Sequence, residues 1–331
     1  MTTEQFECAI CGKQTIAFHY GVNCCNACKQ FFKRSIDSKS LPSKCSNGSE
    51  CHNCRYCRLQ KCLSAGMAAP NRQPPEKSTP DLGSVLAHLE LLENRRSDTF
   101  MNCVTTSEFN LDDLILADTL EYSRKPEDFK PSFEGWVAMC FSTSVDFIKR
   151  FELNKELSKS DKINLIKPSY RQHATFCLAM RSYSNQREFT AFPDDLDILP
   201  VELSNMFVNS PKFLNKIRCS LVAKLNELQI TREEFILLSA IMICNTASSI
   251  FSSSSQTHIA KYQKLFTNSL MEYCMINYSN SGASRFTNLL SIIYVIHKVL
   301  ENFDNAITQM HISKPNVKME KMLVDIIDKK I

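Results

Sequence analysis

The sequence CNACKQFFKR, residues 25–34, determines how the N-terminal part of this chain folds. It opens with a Cys-x2-Cys pair, and an earlier pair, Cys8 and Cys11, is separated from it by 13 residues. Four thiolates at that spacing can close a tetrahedral zinc site and hold together a segment too short to build its own core. We therefore predict a zinc site formed by Cys8, Cys11, Cys25 and Cys28.

A basic and aromatic helix is predicted to follow this site, from about Cys28 to Asp37. Positions i, i+3, i+4 and i+7 of a helix share one side, which here carries Asn26, Lys29, Gln30 and Lys33. Lysine can bond guanine edges or phosphates, and asparagine or glutamine can bond adenine. The helix is therefore a candidate DNA-binding surface, and a solvated charged face on a structural zinc module is the alternative.

The positive charge of the chain is concentrated at its N-terminal end. Residues 1–75 carry ten Lys and Arg against four Asp and Glu, a net charge of +6, whereas the whole chain of 331 residues carries +4. Ten of the 16 cysteines also lie before residue 63. A small cationic domain, suited to phosphate groups, is therefore predicted to precede a larger domain of ordinary composition.

Other protein classes are disfavoured. Residues 1–5 are polar and contain no apolar signal segment, and Cys-x2-Cys pairs are typical of metal sites rather than disulfide frameworks. The longest apolar run, around Phe235–Cys244, is too short to cross a bilayer. The sequence contains no Gly-rich phosphate loop, His-Glu-x-x-His or Gly-x-Ser-x-Gly. We expect a soluble intracellular protein that is not an enzyme and has no membrane partner.

The segment from Cys8 to Ile36, with His19-Tyr20-Gly21-Val22 inside it, resembles the first zinc module of nuclear hormone receptors. Its Cys-Asn-Ala-Cys-Lys variant is similar to the expanded nematode branch of that family. The resemblance implies a nuclear transcription factor that binds double-stranded DNA and holds two zinc ions. It implies base selection by Asn26, Ala27 and Gln30, base or phosphate contacts from Lys29, Lys33 and Arg34, and DNA-backbone proximity for His19 and Tyr20. Cys24 stands where the family usually has a small residue, so we interpret it as a non-ligand, with the x2 spacing to Cys28 selecting Cys25.

A second zinc module is less regular. Cys45, Cys51, Cys54 and Cys57 match the two pairs of the family, and Gly66 suits the end of the closing helix. However, only two residues separate Cys51 from Cys54, whereas the family normally has about nine residues there. In the family, that longer stretch carries part of the dimer contact. Either the four cysteines bind zinc in a compressed loop, or His52 or Cys62 substitutes as a ligand, or the site is defective; we favour the first arrangement.

The remainder of the chain predicts a proline-rich hinge and a helical body. We predict boundaries of 5–75 for the zinc domain, 76–100 for the hinge and 101–331 for an all-α, multilayer helical domain with at most a short β-hairpin. Glu188–Ile198 hints at short strands, and Ser252–Ser255 is interpreted as an exposed loop. Helical periodicity predicts these helices: Asp112–Leu120, Phe133–Phe151, Asp161–Arg181, Val201–Asn209, Lys212–Leu228, Arg232–Asn245, His258–Tyr278 and Arg285–Ile307.

Two segments of the helical body also resemble the receptor family. Residues 145–167 are similar to the helix 3–4 signature of its ligand-binding domain, and residues 322–327 to its activation helix, with Asp325 where Glu is usual. The resemblance implies a trough for a coregulator's amphipathic helix. Lys149 would bond the C-terminal carbonyls of that helix, and Asp325 would bond its N-terminal amides. Lys167 would line its far side. The coregulator-binding residues are therefore Lys149, Lys167, Leu323, Asp325 and Ile326.

The sequence of the helical body does not decide whether the protein binds a ligand or forms a dimer. Phe133–Cys140 and Cys177–Met180 either line a pocket for a small apolar ligand or pack a dry core. The helix around Ser291–Leu300 is apolar on more than one face, as expected where a homo- or heterodimer forms. Two alternatives to the zinc-dependent transcription factor are a zinc-module protein-interaction scaffold and an orphan receptor whose shortened second module impairs DNA binding.

Overall fold

The computed structural model of the chain describes residues 6–37, 45, 51, 54–67, 80–105, 111–245 and 250–314. These residues form two compact units that divide between residues 79 and 80. We call them the cysteine-rich unit and the helical unit. Among the helices described, none combines the length and the apolar run that a membrane crossing requires.

The cysteine-rich unit consists of two small hairpins and two helices. The hairpins pair β1 (Phe6–Glu7) with β2 (Gln14–Thr15), and β3 (Phe18–His19) with β4 (Val22–Asn23), both antiparallel. Helix α1 spans Asn26–Asp37, beginning two residues before the expected start, and α2 spans Arg55–Ser64. Side chains from both helices share one buried cluster that includes Phe32 and Leu59.

Helix α2 has well-defined signals at both ends. Its N-cap is Cys54, whose Sγ accepts a hydrogen bond from the Cys57 backbone N–H at 3.2 Å. At the other end Gly66 adopts φ +90°, a left-handed conformation that favours glycine. Met67 N–H bonds Cys62 C=O and Gly66 N–H bonds Leu63 C=O, the pair of bonds that defines a Schellman motif. The predicted role of Gly66 as a helix stop is confirmed.

The helical unit is built almost entirely from α-helices. A single short antiparallel pair, β5 (Cys103–Val104) with β6 (Ser123–Arg124), accompanies them in the described residues of this unit. This arrangement confirms the predicted fold class. The helices are α3 (Leu82–Asn102), α4 (Leu111–Leu116), α5 (Phe133–Lys149), α6 (Lys159–Ser184), α7 (Val201–Met206), α8 (Pro211–Arg218), α9 (Ser220–Leu228), α10 (Arg232–Cys244), α11 (Ser253–Tyr278) and α12 (Gly282–Ser313).

The expected hinge over residues 76–100 is wrong for most of its length. Asp81 caps α3 by accepting a bond from Ser84 N–H at 2.8 Å, and the helix continues to Asn102. Its residues Val85 and Leu89 are buried in the main core, because apolar side chains recur there at helical spacing. The compact helical unit therefore begins at residue 80 rather than 101.

Helix α10 lies at the centre of the helical unit. Every residue from Glu234 to Cys244 is buried, which suits a helix that is apolar all round. Its start carries a capping box: Thr231 Oγ1 accepts from Glu234 N–H at 3.3 Å, and the Glu234 carboxylate accepts from Thr231 N–H at 2.9 Å. Arg285 from α12 then binds the buried Glu234 carboxylate, with the closer contact at 2.5 Å. Helices α10 and α12 are thereby joined through one buried carboxylate.

Three local expectations need correction. Residues Ser252–Ser254 are exposed as predicted, but the segment is not a loop, since Ser252 stands at the N-cap position of α11 and the helix begins at Ser253. Both Ser252 and the buried Ser255 donate to the buried carboxylate of Asp161, at 2.9 and 2.8 Å. The segment predicted as one helix, 212–228, divides at Cys219 into α8 and α9. The strand-like segment 188–198 contributes only an isolated bridge between Ala191 and Asp197.

Candidate zinc sites, DNA-facing helix and helix-binding trough

The four cysteines of the first predicted zinc site come together in the structure. The Sγ atoms of Cys8, Cys11, Cys25 and Cys28 all lie within 4.8 Å of one another, and Cys11 and Cys25 are 3.7 Å apart. Zinc–sulfur bonds of about 2.3 Å give tetrahedron edges of about 3.8 Å. The donor set and its spacing therefore fit a structural zinc ion.

The first pair of this site is held by a tight knuckle. Cys8 C=O accepts from Gly12 N–H at 2.8 Å, and Gly12 has φ +74°. Burial raises the pKa of the Cys8 thiol, but backbone N–H groups, led by that of Cys25, outweigh it and lower the pKa to about 6. Since the thiolate is the form that binds metal, these amides prepare the site for zinc.

Arg58 joins the two halves of the cysteine-rich unit. This α2 residue places a guanidinium nitrogen 3.5 Å from the Cys28 Sγ and stacks over the Phe31 ring at 4.5 Å. Burial raises the pKa of the Cys28 thiol to about 12, and the bond from Arg58 acts against that rise. A donor that stabilises a ligating thiolate in this way belongs to the outer shell that tunes a metal site.

The structure distinguishes the adjacent cysteines 24 and 25. Cys24 is fully buried with its Sγ 3.7 Å from the His19 carbonyl oxygen, whereas Cys25 faces the four-sulfur cluster. Cys62 is also fully buried, in the apolar cluster with Phe32. Neither Cys24 nor Cys62 belongs to a sulfur cluster, in agreement with the favoured interpretation of both residues.

The second set of four cysteines also forms a cluster. Cys45, Cys51, Cys54 and Cys57 offer sulfur atoms within 4.8 Å of one another, despite the short spacing between Cys51 and Cys54. The Cys57 backbone N–H is the main cause that lowers the pKa of the Cys54 thiol to about 7. Two clusters of four cysteines fit two zinc ions, and His52, the alternative ligand, lies outside the described residues.

Helix α1 presents the predicted DNA-binding residues to solvent. Cys28 lies in its first turn, so the first sulfur cluster anchors the start of the helix. Phe32 is buried and Phe31 half-buried behind it, which turns the opposite side outward. The exposed residues of that side are Asn26, Ala27, Gln30, Lys33 and Arg34, and Lys29 is half-buried.

The two predicted backbone-proximal residues occupy the β3–β4 turn. His19 pairs with Val22, and Tyr20 at φ 55° and Gly21 at φ 90° form the left-handed turn between them. The Tyr20 ring packs edge-on against Phe32, with centroids 5.1 Å apart. The turn is thereby fixed against the first helix.

In the helical unit, Lys149 and Lys167 both bind α4. The Lys149 ammonium, at the C-terminal end of α5, donates to the backbone oxygens of Leu114, at 3.1 Å, and Ala117. Burial is the main reason that its pKa lies below the ordinary value. Lys167, in α6, pairs with Asp112 at 2.7 Å. Both lysines thus contact a helix of this chain itself, and their contacts with a coregulator helix stay predictions.

The other residues predicted to bind a coregulator, and the predicted ligand pocket, have different outcomes. Leu323, Asp325 and Ile326 lie outside the described residues. The segments predicted to line a pocket enclose an apolar cavity of ≈ 80 Å³, bounded by Val137 and Leu178 among others. Small-molecule sites usually measure about 300 Å³ or more, so in this conformation this cavity is smaller than a typical ligand site.

Sequence reasoning missed a buried polar group. Glu93 in α3 and His173 and Cys177 in α6 place their ligand atoms within 4.8 Å of one another. Arg96 already binds both Glu93 oxygens at 2.7 Å, and burial holds the pKa of His173 well below and that of Cys177 well above their ordinary values. The group is therefore a satisfied core network. The sequence shows only the i, i+3 spacing of Glu93 and Arg96 in α3 and the i, i+4 spacing of His173 and Cys177 in α6.

Two family models match the chain. Residues 6–69 match the double treble clef zinc finger of C4 type, and residues 132–312 match the ligand-binding domain of nuclear hormone receptor. The chain is also similar to three proteins of Caenorhabditis elegans. Nuclear hormone receptor family member nhr-167 is 32% identical over 97% of both chains. Member nhr-9 is 31% identical over 98% of this chain and 97% of its own length. Member nhr-27 is 28% identical over 99% of this chain and 94% of its own length.

Proposed function

The chain belongs to the nuclear hormone receptor family, and from that premise we propose that it reads specific DNA sequences with α1 and recruits coregulators with its helical unit. Members of this family are DNA-binding transcription factors of the nucleus rather than enzymes, which agrees with the class expected from the sequence. The finer roles of individual residues are part of the proposal.

One observation carries the DNA-binding role. The first sulfur cluster includes a cysteine of α1 itself, and the exposed side of that helix carries Asn26, Gln30, Lys33 and Arg34 without an acidic residue among them. A metal ion bound there would fix the helix while these side chains stay exposed for contacts with base edges and phosphates. In the proposal, Asn26, Ala27 and Gln30 select bases, and Lys29, Lys33, Arg34, His19 and Tyr20 contact phosphates or bases.

Selection from a random duplex pool by the full, zinc-loaded chain tests this role. We expect a preferred sequence whose binding weakens steeply with salt. Gln30→Ala should relax the preference at one base position, whereas Lys33→Ala should weaken binding to all sequences and reduce the salt slope by about one.

The matched control is Lys13→Ala, an exposed lysine in the β1–β2 turn, which should leave both properties unchanged. Recovery of no preferred sequence would overturn sequence-specific binding. It would favour the protein-interaction scaffold, to which the short spacing between Cys51 and Cys54 also points.

The coregulator role rests on Lys149 and Lys167. Their ammonium groups bind the two ends of a helix that lies against α5 and α6, which is the arrangement that an amphipathic partner helix requires. In the proposal, Leu323, Asp325 and Ile326 complete the same trough. Lys149→Ala should abolish binding of a leucine-rich helical peptide, measured by fluorescence anisotropy, whereas Lys155→Ala, an exposed lysine nearby, should not.

A dimer is a further partner of the proposed function. The apolar side chains of Ile276 on α11 and Tyr294 on α12 are about two-thirds exposed, at 65% and 64%. Burial of such side chains against a second subunit is favourable. Sedimentation of the full chain with and without Tyr294→Glu tests this role, and an unchanged monomer in both would contradict it.

A further inference from the structure

Helix α4 has the pattern of a short partner helix. Its apolar residues Leu111, Leu114 and Ile115 stand at i, i+3 and i+4 and are buried, at 5%, 2% and 2% exposure. Asp112, Asp113 and Leu116 face solvent. Peptide helices that lie in grooves anchor themselves by this same spacing.

The lysines at its ends hold α4 in the way that a bound helix is held. The last carbonyls of a helix lack intrahelical partners, and Lys149 donates to two oxygens there, those of Leu114 and Ala117. Lys167 pairs with Asp112 in the first turn, at 2.7 Å. The three apolar anchors join the same core as Ile148 of α5.

The length of α4 indicates that its place depends on these contacts. Six residues form fewer than two turns, and isolated helices below about 12 residues are marginal in water. Its helical state therefore depends on the trough between α5 and α6. A segment of this kind can leave when another helix with better anchors takes its place.

Resting on the coregulator role proposed above, we infer that α4 is an internal occupant of the coregulator trough, which an external helix must displace. The partner that fits has apolar residues at i, i+3 and i+4 and an acidic residue at i+1, where Asp112 meets Lys167. In the state described, the trough is closed by the chain itself. Release of α4 is then a step that regulates recruitment.

The test uses the full chain and two labelled peptides. The first carries this chain's own residues 109–120, and the second is an unrelated synthetic helix with leucines at i, i+3 and i+4. In Leu111→Ser/Leu114→Ser the internal occupant loses its anchors while the trough is intact. We expect both peptides to bind this variant about tenfold or more tightly than the wild type, because a closed fraction lowers apparent affinity.

Three further variants protect the result against misfolding. Leu116→Ser alters the exposed side of α4 and should leave peptide binding unchanged. Asp112→Lys replaces the exposed ion pair by repulsion and should raise affinity about two- to fivefold, within the range of a surface pair. Asp112→Lys/Lys167→Glu restores an ion pair at this position with the charges exchanged, so it should bind the leucine peptide less tightly than Asp112→Lys alone.

The outcomes separate this inference from the coregulator role. Equal binding of the leucine peptide to wild type, Leu111→Ser/Leu114→Ser and Asp112→Lys overturns the inference and leaves the coregulator role standing. Failure of the 109–120 peptide to bind the released variants also overturns the inference. Failure of the leucine peptide to bind any variant, while the 109–120 peptide binds the released ones, overturns the coregulator role instead.

Discussion

The buried cluster of the cysteine-rich unit contains seven residues, four of which are cysteines, whereas the main core of the helical unit draws residues from every helix between α3 and α12. Seven buried side chains supply too little apolar burial to fold a segment of this size. The cysteine-rich unit therefore depends on metal, and the helical unit on packing. One chain thus contains two folds that respond to different perturbations.

The largest expected effect is loss of the cysteine-rich fold on metal removal. Elemental analysis should find two zinc ions per chain, and a strong chelator should abolish DNA binding while the circular dichroism of the helical unit persists, because structural zinc supplies the folding free energy. Cys28→Ala should reproduce the loss of DNA binding. Cys24→Ala, at a buried non-ligand cysteine, should retain two zinc ions.

The opposite perturbation is a cavity in the helical core. Phe235 is 1% exposed and packs edge-on against Phe176, with centroids 4.8 Å apart. Phe235→Ala should lower the free energy of unfolding of the helical unit by about 3–5 kcal/mol, from lost burial and the residual cavity. Urea unfolding followed by circular dichroism measures it. Leu91→Ala, at an exposed position of α3, is the control, and a fall in zinc content would contradict the independence of the two folds.

A smaller effect should follow from loss of Arg58. Arg58→Ala removes the donor to the Cys28 sulfur and the stack on Phe31, and outer-shell changes of this kind weaken metal binding about 10- to 100-fold. Competition with a zinc-binding dye measures the change. Arg55→Ala, at an exposed position in the same helix, should have no effect, and equal loss in both variants would mean that overall charge rather than the contact is responsible.

The smallest effect concerns acid stability of the helical unit. Burial raises the pKa of Asp161, but bonds from Ser255, Ser252 and Ser158 outweigh it and hold the pKa below the ordinary 3.8. The stabilisation is complete above that ordinary value and is lost as pH falls through the folded pKa. Asp161→Asn should reduce the free energy of unfolding by about 1 kcal/mol near neutral pH.

Acid unfolding curves test this last expectation. The Asp161→Asn variant should lose part of the pH dependence that the wild type shows below 3.8. Ser253→Ala, an exposed neighbour at the start of α11, serves as the control. Wild-type and Asp161→Asn curves of identical shape would contradict the assignment.

The accuracy of sequence-based prediction differed between the two units for a physical reason. The sulfur clusters and the Gly66 stop follow from spacing over a few residues, so they could be recognised locally. The contact between Ser255 and Asp161 spans 94 residues, and that between Lys149 and Leu114 spans 35. No periodicity in one segment encodes such partners, which explains why the fold class was predictable but the contact between Lys149 and α4 was not.

The hinge prediction failed for a related reason. Proline and polar residues before residue 80 indicate a linker, and the predicted hinge, 76–100, extends that signal across most of Leu82–Asn102. The i, i+4 spacing of Val85 and Leu89 is a weak helical pattern by itself. It becomes decisive only when α5 and α10 cover its apolar side.

Arg58 has a consequence for how the metals load. The residues that start α2 belong to the second sulfur cluster, and one turn further along the same helix a guanidinium reaches a sulfur of the first. Filling one site orders the helix that supports the other, so each ion should raise the affinity for the next. Zinc titration of metal-free protein should then give a curve steeper than two independent sites, with the half-loaded species scarce throughout.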